Sequence, residues 1–175
     1  EIQAEKAKTE AAAKDESQKP KEEITLANAI KDSTKSSSDS LALEQLKNKL
    51  GSFAYSGTLA SAIDATTVFE NDVLYLKVSN KGGYISEARL KNLHSYDSVP
   101  IYLIKDGNAS LNLQFAAENR TLNSQDLYFE PTLSKNGEDQ VLSMKLKTSE
   151  TGFIEYRYTL HPGEYMLDFS INSQG

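Results

Sequence analysis

Residues 69–104 read FENDVLYLKVSNKGGYISEARLKNLHSYDSVPIYLI, and the fold class follows from how this stretch pairs with itself. Leu74, Leu76 and Val78 fall on one side of an extended run and Tyr75, Lys77 and Ser79 on the other, the period of two expected of a half-buried strand. Ser79-Asn80-Lys81-Gly82-Gly83 ends the run. Two adjacent glycines take positive φ at little steric cost, and Asn80 can bond its own backbone, so Gly82 and Gly83 are read as the structural turn. A second run follows, with Tyr84, Ala88 and Leu90 as one candidate face, before Asn92 to Asp97 turns polar.

The same alternation recurs downstream. Leu111, Leu113 and Phe115 alternate with Asn112 and Gln114, and Leu142, Met144 and Leu146 with Ser143, Lys145 and Lys147. Ile154, Tyr156, Tyr158 and Leu160 alternate with Glu155, Arg157 and Thr159, and Tyr165, Leu167, Phe169 and Ile171 with Met166, Asp168 and Ser170. Asp106-Gly107-Asn108, Asn136-Gly137 and Pro162-Gly163 supply turn chemistry between neighbours. Parallel sheets would need continuous apolar runs and crossover helices, so one-sided alternation with short turns indicates an all-β fold, antiparallel sheets packed face to face. The final run carries a clean apolar face and has no following strand to pair with, which leaves a sheet edge or a partner still to come.

The remaining chain divides by composition. Residues 1–40 are expected to be a flexible or helical tether: Glu1 to Glu23 is Ala, Lys and Glu with Ile2 as its one large aliphatic, Pro20 interrupts it, Ile24 to Ile30 could form a turn or two, and Lys31 to Ser40 has linker composition. A spacer and a merely tolerated tail are both compatible with that composition. Residues 41–65 read as a short helix and an irregular lead-in. Ser40 is a candidate N-cap, Leu41, Leu43, Leu46 and Leu50 form an apolar stripe that should dock on the sandwich, and Gly51 is placed to end the helix. Residues 66–175 carry the β domain.

Bulk properties exclude several classes of function. The chain has 175 residues, 38% of them hydrophobic, enough for one domain of ordinary size. A net charge of −6 without a basic patch argues against nucleic acid as a partner. The absence of cysteine removes disulfides, thiolate catalysis and cysteine-ligated metals together. No apolar run approaches the roughly 20 residues of a membrane-spanning helix.

Catalytic patterns are scarce. The two histidines, His94 and His161, lie in no metal-ligand spacing; His161 reads as a solvated turn residue before Pro162-Gly163 and His94 as a polar strand-end residue. Glu164 and Asp168 could suggest paired carboxylates, but four residues of strand separate them by about 13 Å, too far for a shared glycosidic site. Tyr156 and Tyr158 could stack on a sugar or a peptide, yet they share a face with Ile154 and Leu160 and are read as core. The glycine turn joins strand to strand and lacks the helix N-terminus of a phosphate loop. No catalytic, cofactor-binding or metal-binding residue is assigned.

Several stretches resemble one family. Glu70-Asn71-Asp72, the run Val78 to Gly83 (VSNKGG), Leu90-Lys91-Asn92, Tyr96-Asp97 and Pro100 to Ile104 are similar to the opening of the large periplasmic domain of YidC-type membrane protein insertases in their Bacteroidetes form. The likeness continues in Leu127 to Pro131 (LYFEP), Tyr158 to Tyr165 (YTLHPGEY) and Ile171 to Gly175 (INSQG), and covers roughly Leu46 to the last residue. It implies that residues 66–175 are the N-terminal part of a β-supersandwich of the galactose-mutarotase type continuing past Gly175, with a transmembrane helix ahead of Glu1. It further implies a multi-pass inner-membrane parent that inserts and folds membrane proteins, alone or with the Sec translocon. The partners so implied are translocon components and nascent membrane proteins, with no cofactor and no enzymatic activity. Because fold does not settle function, a mutarotase-like carbohydrate-binding or sugar-epimerising domain is the alternative, although two histidines and no exposed aromatic platform count against it.

Overall fold

The computed structural model describes residues 40–175, so the expected tether over residues 1–39 lies outside the described residues. The alternation of Leu74, Leu76 and Val78 places them on the buried side of β2 (Leu74–Ser79). This strand lies between β1 (Thr66–Glu70) and β3 (Ile85–His94), and β3 in turn pairs β4 (Pro100–Ile104), all antiparallel. A register shift after Lys77 lets Val78 pair Ile85 while Lys77 pairs Glu87, leaving Ser86 as the extra residue of a bulge. Tyr84 therefore falls in the turn, and β3 starts one residue later than its sequence face suggests. The polar run expected from Asn92 begins inside the strand, since β3 extends to His94, which pairs Pro100.

A second antiparallel sheet has the order β10-β9-β8-β7, built from β7 (Glu130–Asn136), β8 (Asp139–Lys147), β9 (Phe153–Leu160) and β10 (Leu167–Gln174). Phe69, Leu76 and Val78 of the first sheet and Leu142, Met144, Leu146, Tyr156 and Leu160 of the second form one buried cluster. The fold is thus the antiparallel sandwich expected from the alternation. A small hairpin, β5 (Gln114–Ala117) and β6 (Arg120–Asn123), closes one flank through the two-residue turn Glu118-Asn119 at φ 49° and 60°. Both residues adopt the left-handed conformation of a type I′ turn without glycine, which is why no turn was legible there.

Two strand readings are corrected. Leu111 and Leu113 precede β5 rather than belong to it: the Leu113 N–H donates to Ser124 Oγ at 2.8 Å and its carbonyl accepts the Ser124 N–H at 2.9 Å, contacts with a 3-10 turn rather than with a ladder. β10 starts at Leu167, not Tyr165, because Pro162-Gly163 opens a wide loop over residues 161–166 instead of a tight hairpin, with Leu160 pairing Leu167. Tyr165 and Met166 are accordingly exposed.

The expected lead-in is helical in its first part and irregular over residues 58–65. α1 (residues 40–50) runs into a 3-10 turn at Gly51–Phe53 and then α2 (Ala54–Gly57). Gly51 takes φ 62°, the left-handed position that ends a helix. Ser40 is already helical, so the capping position lies outside the described residues. α1 docks on the hairpin flank: Leu50 packs on the core and Asn48 O accepts from Arg120 Nε at 3.2 Å. Phe53, whose burial was unreadable from sequence, meets Phe115 edge-on at 5.1 Å. Among the described residues no helix is long and apolar enough to cross a membrane.

Candidate functional site

The Gly82-Gly83 turn is buried, with φ 83° and 65°. Tyr158 Oη crosses from the second sheet to donate to Gly83 O at 2.6 Å, and a Cβ on Gly83 would stand 3.1 Å from Phe129 Cγ and from Tyr156 Cδ2. The turn is thus pressed against an aromatic pair, Phe129 and Tyr156 with ring centroids 4.8 Å apart. Tyr156 and Tyr158 are core residues, 1% and 3% exposed. Burial pushes both hydroxyl pKa values upward, and for Tyr158 the neighbouring Tyr156 adds to that shift. Neither ring offers a platform to a ligand.

His161 departs from the turn-residue reading. Its Nδ1 lies 2.8 Å from Asp139 Oδ1 at the start of β8, and its Nε2 lies 3.1 Å from Asp168 Oδ2 on β10. Hydrogen bonds accepted by Asp168 and then Asp139 raise its pKa from the ordinary 6.5 against a smaller opposing effect of burial. The main-chain carbonyl of the same residue accepts from Asn71 Nδ2 at 2.7 Å. Asn71, buried between β1 and β2, also donates to Glu164 O at 2.7 Å, while its Oδ1 accepts the N–H groups of Val73 at 3.0 Å and Leu74 at 2.8 Å. One side chain therefore satisfies a turn in the first sheet and a loop of the second. Glu164 enters through its carbonyl, so Glu164 and Asp168 do not form a carboxylate pair. His94 is exposed on β3, and the structure does not bring it to His161.

On the outer face of the second sheet Glu155 is buried among polar groups. Burial raises its pKa, but donors from Ser143 at 2.5 Å, Asn172 at 3.0 Å and Arg157 at 3.3 Å outweigh that effect and hold the carboxyl below the usual 4.5. No signal in the sequence separated Glu155 from an ordinary wet-face glutamate, because its donors come from three strands. The β5–β6 flank holds an apolar cleft of about 350 Å³ lined by Leu46, Leu50, Phe53, Leu122 and Leu127, with Lys49 and Asp126 also in its wall. Among the described residues no group of His, Asp and Glu is arranged to hold a metal ion. These arrangements join strands, turns and loops; chemically, the His161 ring between Asp139 and Asp168 can exchange a proton with solvent.

Residues 66–175 match the family model described as the YidC periplasmic domain. The chain is 34% identical over 147 residues to the "Membrane protein insertase YidC" of Parabacteroides distasonis, covering 83% of this chain and 22% of that protein. It is 34% identical over 109 residues to the protein of the same name from Phocaeicola vulgatus, covering 62% of this chain and 17% of that one. With the Bacteroides fragilis protein it shares 30% identity over 161 residues, 92% of this chain and 23% of the relative. The chain thus spans about a fifth of the length of these curated relatives. No solved structure matches it.

Proposed function

Because this chain belongs to the YidC periplasmic domain family, we propose that it forms part of the periplasmic domain of an insertase that assists insertion and folding of integral membrane proteins, alone or with the Sec translocon. The observation that carries the reading is the match over residues 66–175, which takes in every strand of the described residues. Within that protein the sandwich has an architectural role and no turnover of its own. Gly82 and Gly83 are its structural turn, residues 1–40 its tether, and residues 41–65 the short helix and irregular lead-in. The domain stands on the periplasmic side of the inner membrane, carried by membrane segments of the parent protein. Its partners through that parent are nascent membrane proteins and translocon components. The mutarotase alternative has no support from the relatives, whose names are those of insertases.

Depleting the full-length parent in its host should leave newly made membrane proteins accessible to protease, and the intact gene should restore their integration; unchanged integration would overturn the proposal. Sidedness has its own test, aided by the absence of cysteine from the chain. Ser170→Cys, on the exposed face of β10, placed in a parent otherwise free of cysteine, should react with a membrane-impermeant maleimide in intact spheroplasts. Labelling only after lysis would put the domain on the other side.

A further inference from the structure

We infer that Asp139, His161 and Asp168 form a pH-operated latch: an imidazolium gripped by carboxylates of β8 and β10 holds the β9–β10 loop in place, and deprotonation of the ring releases it. The geometry requires the charged ring. Carboxylates are acceptors only, and both ring nitrogens face one, at 2.8 and 3.1 Å. A neutral imidazole carries a single N–H and leaves one nitrogen lone pair against a carboxylate. The two carboxylates stand at opposite nitrogens of the ring, so they do not converge with one nitrogen on a common point as metal ligands would. The site is half-exposed, with 34% of the His161 side chain accessible, which leaves it in exchange with bulk protons.

What the latch holds is set by the main chain. The His161 carbonyl accepts Asn71 Nδ2 at 2.7 Å and the Glu164 N–H at 3.4 Å, so ring and backbone of one residue join β8, β10 and the β1–β2 turn. The charged groups acting on the ring are Asp139 and Asp168. From the facing sheet the uncharged Asn71 reaches the residue, and Lys91 there is engaged with Asn71 O at 2.9 Å and Glu70 at 3.5 Å. Since the ring titrates above its ordinary 6.5 in the folded chain, its contribution is complete below 6.5 and is lost as pH rises through the raised folded value. The latch is closed on the acidic side and opens on the alkaline side.

The test is a proton NMR titration of the 175-residue chain, with His94→Gln assigning the two imidazole signals, combined with amide exchange corrected for its intrinsic pH dependence. The His161 midpoint should lie above 6.5, and Asp139→Asn and Asp168→Asn should each lower it. Exchange at Glu164 and Leu167 should rise severalfold as pH crosses the midpoint. His161→Gln, which keeps the main-chain carbonyl and cannot titrate, should abolish that pH step. A midpoint at or below 6.5, exchange without a step at the midpoint, or a step that persists in His161→Gln overturns the latch.

Discussion

Gly83 lies at φ 65°, and any Cβ there would press on Phe129 and Tyr156 at 3.1 Å. Gly83→Val should cost about 1–3 kcal/mol in urea unfolding, from left-handed strain and overpacking together; a change within about 0.5 kcal/mol, the range of neutral surface substitutions, would contradict this packing. Asn71 carries a comparable load through hydrogen bonds. Asn71→Ala leaves the Val73 and Leu74 N–H groups and the His161 and Glu164 carbonyls without that partner, and about 1–3 kcal/mol should be lost. Asn71→Asp keeps the acceptor side but turns a carboxylate oxygen against the His161 and Glu164 carbonyls, acceptor facing acceptor at a buried position, so it should destabilise at least as much as Asn71→Ala. The backbone demand for glycine was readable from Asn80-Lys81-Gly82-Gly83 because turn chemistry is local. The aromatic wall behind Gly83 and the partners of Asn71 were not, since Tyr156 lies 73 residues downstream and the His161 carbonyl 90.

Among the elements, strands whose side chains face one core were legible and those held by loops were not. β2, β8 and β9 follow their alternation because each is an interior strand, paired along both edges, with its apolar side chains in the core. Leu111 and Leu113 alternate equally well yet remain outside β5, where Ser124 supplies the pairing instead of a strand. The polar face of β9 conceals Glu155, whose donors from β8, β9 and β10 bind those strands together. Its folded pKa is lowered, so its contribution is present above the ordinary carboxylate value and is lost as pH falls through the folded one. Melting temperature should therefore drop as the solution is acidified below about pH 4, and Glu155→Gln should flatten that drop; an identical acid profile in the variant would remove Glu155 from the account. At the other flank Gly51 is both a helix terminator at φ 62° and a close neighbour of Glu118, whose carboxylate an added Cβ would meet. Gly51→Ala should loosen α1, seen as faster exchange over residues 43–50, while β8 and β9 keep their protection.

At the scale of the whole molecule, β10 is an outer strand of the second sheet among the described residues. Phe169 and Ile171 project to the same side as the buried Tyr156 and Tyr158, and the Phe169 ring meets both, with centroids 5.6 and 4.9 Å away. They nevertheless stay 42% and 47% exposed, because among the described residues β10 pairs β9 alone. The clean apolar alternation of Leu167, Phe169 and Ile171 showed that an edge was at stake; the sequence carried no sign of how much of that face stays uncovered, which depends on the width of the opposing sheet. Exposed backbone donors and acceptors beside apolar side chains are a template for strand addition. The 175-residue chain should therefore self-associate as its concentration rises, giving a weight-average mass above 19.3 kDa in sedimentation equilibrium. Ile171→Lys places a charge on the edge at a residue that is 47% exposed, and should return the mass toward that of the monomer. A mass that stays at the monomer value over the whole range would mean that β10 is shielded in solution, and an association unchanged by Ile171→Lys would place the contact on another surface.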